Sequence, residues 1–253
     1  MNRMKHISSA KNPQVKQWKK LLTKKERDRS GTFLVEGFHL VEEALMENRI
    51  NEIIVHENVE LPIKWNYHDI PVTQVTDEVI HALTETEAPQ GVFAVCEQTK
   101  MELTSFKGKR LLLVDAVQDP GNLGTMIRTA DASGMDAVIV GEGSVDIYNP
   151  KVLRSAQGSH FHLPVLRGNL EEWISQLAEN QIPIFGTALE NAKVYTEVKP
   201  EESFALLVGN EGNGVNPELL KKTSANLYIP IFGKSESLNV AVATGILLYY
   251  LRA

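Results

Sequence analysis

Short apolar runs recur along this chain, separated by stretches whose apolar residues return at helical spacing. In the second half the runs are Leu111–Val114, Ala137–Val140, Leu163–Leu166, Ile184–Thr187, Phe204–Val208 and Leu227–Pro230. A strand with one wet face would alternate apolar and polar residues; most of these do not, so both faces are covered. Helical patterns lie between them: near Leu123–Ala132, after Asn149-Pro150, over Leu170–Glu179, and in the closing stretch Leu238–Leu251. Apolar strands alternating with helices indicate an α/β fold with a mainly parallel sheet. The first ninety or so residues show the same grammar on a smaller scale. Strands are expected at Phe33–Val35, Ile53–Val55, Pro71–Val75 and Val92–Cys96, and helices at Phe38–Met46 and Asp77–Leu83. The stretch 98–109 is polar and strandless, which suggests a small domain over 1–97, a linker, and a larger domain over 110–253.

Charge is not evenly spread along the chain. The net charge of −6 would argue mildly against a nucleic-acid partner. The first thirty residues, however, hold ten Lys and Arg against Glu26 and Asp28, a net +8, and the other 223 carry −14. Asn12 can cap a helix there, Pro13 suits its first turn, and Val15, Trp18, Leu21 and Leu22 form its apolar face. The lysines then lie on the opposite face, either as a phosphate-binding stripe or as an ordinary solvated one. The single cysteine, Cys96, has no disulfide or zinc partner and points to a reducing compartment, hence the cytoplasm. The longest apolar run, Leu238–Leu251, is broken by Asn239, Thr244 and Gly245 and is shorter than the ~20 residues a membrane span needs. The seven histidines are scattered, so no metal site is expected; His160 and His162 could share one face of a strand.

In open parallel sheets, ligands bind beyond the carboxyl ends of strands, and three loops there stand out. The first runs from Asp115 to Arg128 and opens a helix; it lacks the G-x-G-x-x-G dinucleotide fingerprint but sets Asn122 and Arg128 six residues apart. Asn122 is either a functional side chain or a helix cap. The second, Gly209-Asn-Glu-Gly-Asn-Gly214, places three glycines in six residues, as close ligand approach or an elaborate turn would require. The third runs from Ile229 to Ala243 into the apolar helix, where Ser237 or Asn239 could cap.

Together these loops resemble the three motifs of the SpoU (TrmH-like) family of SPOUT-class RNA 2′-O-ribose methyltransferases. The matching residues are Asn122-x-Gly-x-x-x-Arg128, then Gly209-Asn-Glu-Gly-x-Gly214, then Ile229-Pro followed by Ser237-Leu-Asn-Val-Ala241. The segment Phe33-Leu-Val-Glu-Gly-Phe-His-Leu-Val-Glu-Glu-Ala44 is similar to the substrate-binding domain of the family's ribosomal-RNA branch. The resemblance implies a C-terminal SPOUT domain tied in a trefoil knot, a homodimer, and an RNA substrate, ribosomal RNA before transfer RNA. A non-catalytic RNA-binding protein of the same fold is the main alternative. The implied cofactor is S-adenosylmethionine, held near Val208, Gly209, Asn210, Gly212, Ile229, Ile231 and Leu238.

By the same resemblance Arg128 is the central catalytic residue. An arginine side chain, very weakly acidic, stabilises a developing alkoxide or grips a phosphate more readily than it removes a proton. Asn122 is expected to position Arg128 or the ribose, and Glu211 to orient Arg128 or the cofactor. Ser237 and Asn239 are expected to hydrogen-bond within the substrate pocket.

Overall fold

A strand too short to announce itself in the hydropathy, β1 (Lys5–Ile7), begins the computed structural model, which describes residues 5–99 and 108–252. Eight of the linker residues expected above, 100–107, lie outside the described residues, as does Arg3 of the basic segment. After β1 come α1 (Pro13–Lys20), α2 (Lys24–Ser30), β2 (Thr32–Glu36), α3 (Phe38–Met46), β3 (Ile50–His56), β4 (Val72–Val75), α4 (Asp77–Leu83) and β5 (Val92–Glu97). They form a five-stranded sheet in the order β1-β4-β3-β5-β2. The first three strands in that order run parallel, whereas β5 is antiparallel to both of its neighbours. Val15, Trp18 and Leu21 pack with Ile54, Val75, Ile80, Leu83 and Phe93 in one core of this unit.

The basic segment is two helices rather than one. The chain breaks between Leu21 and Thr23 because Leu21 is buried beside Trp18, and Arg27 turns inward to donate from Nη1 to the Leu21 carbonyl at 2.7 Å. A helix end leaves such carbonyls without partners, and a buried guanidinium satisfies this one. Arg27 is therefore structural, and Lys24 is paired with Asp28 at 2.7 Å. Lys16, Lys19, Lys20 and Lys25 stay exposed. Asn12 caps α1 by accepting from Gln14 N, as its sequence position suggests.

The second half adds β6 (Arg110–Val114), α5 (Pro120–Ala132), β7 (Ala137–Val140), α6 (Pro150–Ala156), α7 (Ser159–His162), β8 (Val165–Arg167), α8 (Leu170–Glu179), β9 (Ile184–Thr187), β10 (Lys193–Val194), β11 (Phe204–Val208), α9 (Pro217–Leu220), β12 (Ala225–Tyr228) and α10 (Val240–Arg252). His160 and His162 thus sit in a short helix, not on a strand; the strand that follows them begins later, at Val165. The seven strands form a wholly parallel sheet in the order β10-β12-β9-β11-β6-β7-β8.

Packing divides the chain into two compact units, Met1–Gln98 with Tyr148–Phe161, and Thr99–Ile147 with His162–Ala253. Tyr148–Phe161 joins the first unit because its apolar side chains find partners there. The Tyr148 ring lies 4.5 Å from that of Phe33, and Val152, Leu153 and Ala156 are buried.

In the second unit Leu111, Leu113, Ala205 and Leu207 share a core with Leu170, Ile174 and Leu177 of α8, while α10 lies against α5 and β11. Register decides what happens at the sheet's carboxyl edge. Val114 is paired with both Val208 and Val140, so β6, β11 and β7 end level with one another. The next backbone groups continue the ladder, Asp115 N donating to Val208 O and Gly141 N to Val114 O, each at 2.8 Å. The loops that follow these strands start from a common level. Leu113, fully buried on the central strand β6, should be among the costliest residues to truncate. Leu113→Ala is expected to lose about 2–5 kcal/mol in chemical denaturation with the fold retained.

Candidate active site

The loops after β6, β11 and β12 meet through three side chains. Glu211, in the loop after β11, accepts from the backbone of the first loop: Gln118 N at 3.3 Å and Asp119 N at 3.1 Å. It also accepts from Asn122 Nδ2 at 3.0 Å. The other end of that amide, Asn122 Oδ1, accepts from Asn239 Nδ2 at 2.9 Å. Asn239 Oδ1 in turn accepts from Ala241 N at 2.9 Å and Val242 N at 3.3 Å, capping α10. A carboxylate can only accept and a backbone N–H can only donate, so both amides are held in one orientation from either end.

Asn122 is not the helix cap that its position allows. Asp119 takes that role, its Oδ1 accepting from Asn122 N at 2.7 Å, with Pro120 in the first turn. The Asn122 side chain is thereby released for the network. Asn239 caps α10, as its position allows, and its Nδ2 reaches Asn122. Ser237 does not cap; it lies exposed, and its carbonyl accepts from Ser235 Oγ at 2.8 Å. Glu211 orients Asn122 rather than Arg128. Arg128 stands exposed on α5, six residues and about 9 Å along the axis from Asn122. It makes no hydrogen bond or ion pair with the described residues.

The second loop is shaped by its own groups. Gly209 is packed so closely that an added Cβ would lie 2.2 Å from Val215 N and 2.3 Å from the Gly214 carbonyl carbon. Asn210 pairs with Gly214 through the backbone, accepts from Gly212 N and Asn213 N, and donates from Nδ2 to Ala116 O at 2.8 Å. Ala116 has φ +52°, a costly setting for a side chain with a Cβ, and the Asn210 bond helps hold it. Asp115 Oδ2 closes the loop's far end by accepting from Asn216 N at 2.7 Å. Val208 and Gly209 are buried, Ile229 and Ile231 half-buried, and Leu238 lies at the surface.

Asp115 and Asp119 support these loops, yet motif reading passes over both. Among the described residues no group of three or more His, Cys, Asp and Glu is placed to hold a metal ion. No described helix is long and apolar enough to cross a membrane.

Residues 109–249 match the SpoU rRNA Methylase family, and residues 12–94 match the MRM3-like substrate binding domain. The chain belongs to the SpoU rRNA methylase family. It is 53% identical over 250 residues to the 23S rRNA (guanosine(2553)-2′-O)-methyltransferase RlmP of Bacillus subtilis, covering 98% of this chain and all of that protein. Among solved structures, an AdoMet-bound rRNA methyltransferase from Sinorhizobium meliloti superimposes with a TM-score of 0.86 at 33% identity, covering 98% and 97% of the two chains. The SpoU methyltransferase AviRb from Streptomyces viridochromogenes, also with AdoMet, gives a TM-score of 0.82 at 29% identity over 95% and 97%. The SpoU match begins one residue before β6 and so takes in all three loops of the network.

Burial alone would raise the Glu211 carboxyl, but hydrogen bonds from Asn122 and from the backbone N–H groups of Glu211, Asp119 and Gln118 outweigh it and hold the group below the usual carboxylate range. A carboxyl held low in the folded state contributes stability above that range and loses it as pH falls through the folded pKa. Glu211→Gln is therefore expected to lower Tm at about pH 7, with the gap from wild type holding to about pH 5 and narrowing as pH falls below about 4. A gap that stays constant across that range would contradict the assignment.

Proposed function

We propose that this chain is an S-adenosylmethionine-dependent methyltransferase that modifies a ribose 2′-hydroxyl of 23S ribosomal RNA, at the guanosine corresponding to the one named for its Bacillus subtilis relative. The observation that carries this reading is the uncommitted Arg128 on a helix whose first turn is locked by the Glu211–Asn122–Asn239 chain. A binding module has no use for three loops drawn together at the start of a helix that carries an uncommitted guanidinium. Ribosomal RNA as substrate implies a cytoplasmic location.

The cofactor, when bound, supplies a methyl group on a positively charged sulfur. The site's own residues fit it. From Ile231 to Leu238 no backbone N–H makes a hydrogen bond with the described residues, and donors in that state suit the polar edges of a nucleoside. Gly209, Ile229 and Leu238 belong to the second and third of these loops and would hold the cofactor, with the buried Val208 as the floor of its site. The trefoil knot formed by the last loops belongs to the same reading.

Two things are then asked of this chain. It must hold the 2′-hydroxyl in line with the methyl group, where positioning contributes ~7–11 kcal/mol. It must also stabilise the oxygen as its proton passes to solvent water. The Arg128 guanidinium presents five donors, so it stabilises the alkoxide and grips the neighbouring phosphate. Asn122, fixed at both ends of its amide, holds the first turn of α5 and with it the direction of Arg128. Ser237 is free to meet the substrate. Arg128→Ala is expected to reduce methyl transfer to 23S rRNA by at least about a hundredfold, with S-adenosylmethionine binding by calorimetry unchanged. A variant with near-normal turnover would overturn the assignment.

A second copy of the chain covers α10. Val242, Ile246 and Tyr249 recur at four- and three-residue spacing and are 52%, 36% and 54% exposed, an apolar stripe that a homodimer would bury.

The first unit grips the RNA through Lys16, Lys19, Lys20 and Lys25. Replacing these four by Gln should make the logarithmic salt dependence of RNA affinity shallower by up to about three. An unchanged slope would return those helices to a solvated surface.

A further inference from the structure

His162 lies outside the three motif loops, yet it touches the helix that carries Arg128. Its Nδ1 shares a 2.8 Å hydrogen bond with Asp131 Oδ2, and the two side chains are 36% and 28% exposed. An ionised carboxylate can only accept, so Nδ1 is the donor. Asp131 is three residues beyond Arg128 on α5, the spacing at which helical side chains are neighbours with Cβ atoms about 5–6 Å apart. Within one turn of Asp131 on that helix, Arg128 is the one cation. An arginine and an aspartate so placed would ordinarily pair, and here they do not.

We propose that His162 is a positioning residue for methyl transfer: by holding the Asp131 carboxylate to itself, it keeps the Arg128 guanidinium available to the substrate. The inference rests on the reading of Arg128 given above. If Asp131 swung to Arg128, it would occupy donors meant for the phosphate and the developing alkoxide. It would also offset the positive charge just where the transition state uses it. The bond to His162 removes both effects without adding a group to the reaction centre. A purely structural pair would behave differently, because losing either partner would then cost stability and neither loss could repair the other.

The test is epistatic. His162→Ala should lower kcat/KM for 23S rRNA by about three- to tenfold, with S-adenosylmethionine affinity unchanged, because Asp131 is then free to pair with Arg128. Adding Asp131→Asn, which removes the competing charge, should restore kcat/KM to within about twofold of wild type. His162→Asn, whose amide N–H can take the place of Nδ1–H, should retain activity. A double variant as slow as His162→Ala, or a His162→Ala enzyme as fast as wild type, would overturn the proposal. Arg128→Ala in the same assay separates the two layers: if it stays active the reading of Arg128 fails, whereas an inactive Arg128→Ala beside an unrescued double variant sinks the positioning role alone. A crystal structure of His162→Ala gives a readout independent of turnover. Asp131 should move into ion-pair contact with Arg128, and a carboxylate that remains apart from it would contradict the proposal.

Discussion

The hydrogen-bond chain from Glu211 through Asn122 to Asn239 is the constraint on which the rest of the site depends. It joins three loops whose residues lie as far as 117 positions apart in sequence, and it does so with groups that cannot be turned round. That is possible only because β6 and β11 end level, so that Gln118 and Asp119 reach the Glu211 carboxylate directly. The all-parallel sheet supplies the common edge, its register supplies the alignment, and the amides lock the result. Such preorganisation lets orientation and fixed dipoles contribute to the rate of methyl transfer.

Charge is managed by commitment. Four acids around the site are bound to donors: Glu211 to Asn122 and two backbone N–H groups of the first loop, Asp119 to the first turn of α5, Asp115 to Asn216 N, and Asp131 to His162. Arg128, in their midst, is left open. The same economy holds in the first unit, where Arg27 is buried as a cap and Lys24 is paired, leaving a narrower set of lysines for an anionic partner than the +8 of the segment suggests. A net charge of −6 for the whole chain conceals both arrangements.

Much of the fold is legible from apolar spacing. Phe38–Met46, Asp77–Leu83, Ala137–Val140, Leu170–Glu179 and Phe204–Val208 occur as the pattern predicts, since each buries a full face. The elements that escape it depend on partners distant in sequence. β1 contains one buried residue, Ile7, and exists because β4 offers an edge. The break after Leu21 is made by Arg27, a tertiary contact that reads in sequence as one more surface cation. Tyr148–Phe161 follows its aromatic and aliphatic side chains into the first unit, away from its neighbours in sequence. At the site the motif residues are readable but their roles are not: that Asp119 caps α5 and so frees Asn122 for Glu211 is settled by geometry a residue pattern does not encode.

The most direct measurement is a ribose-methylation map of 23S rRNA from cells with and without this protein, with the purified enzyme and S-adenosylmethionine added back to the unmodified RNA. The account predicts one 2′-O-methyl guanosine that disappears with the protein and returns on its addition, but not on addition of Arg128→Ala. A map that is identical in the two strains, or a site restored equally by Arg128→Ala, would contradict it.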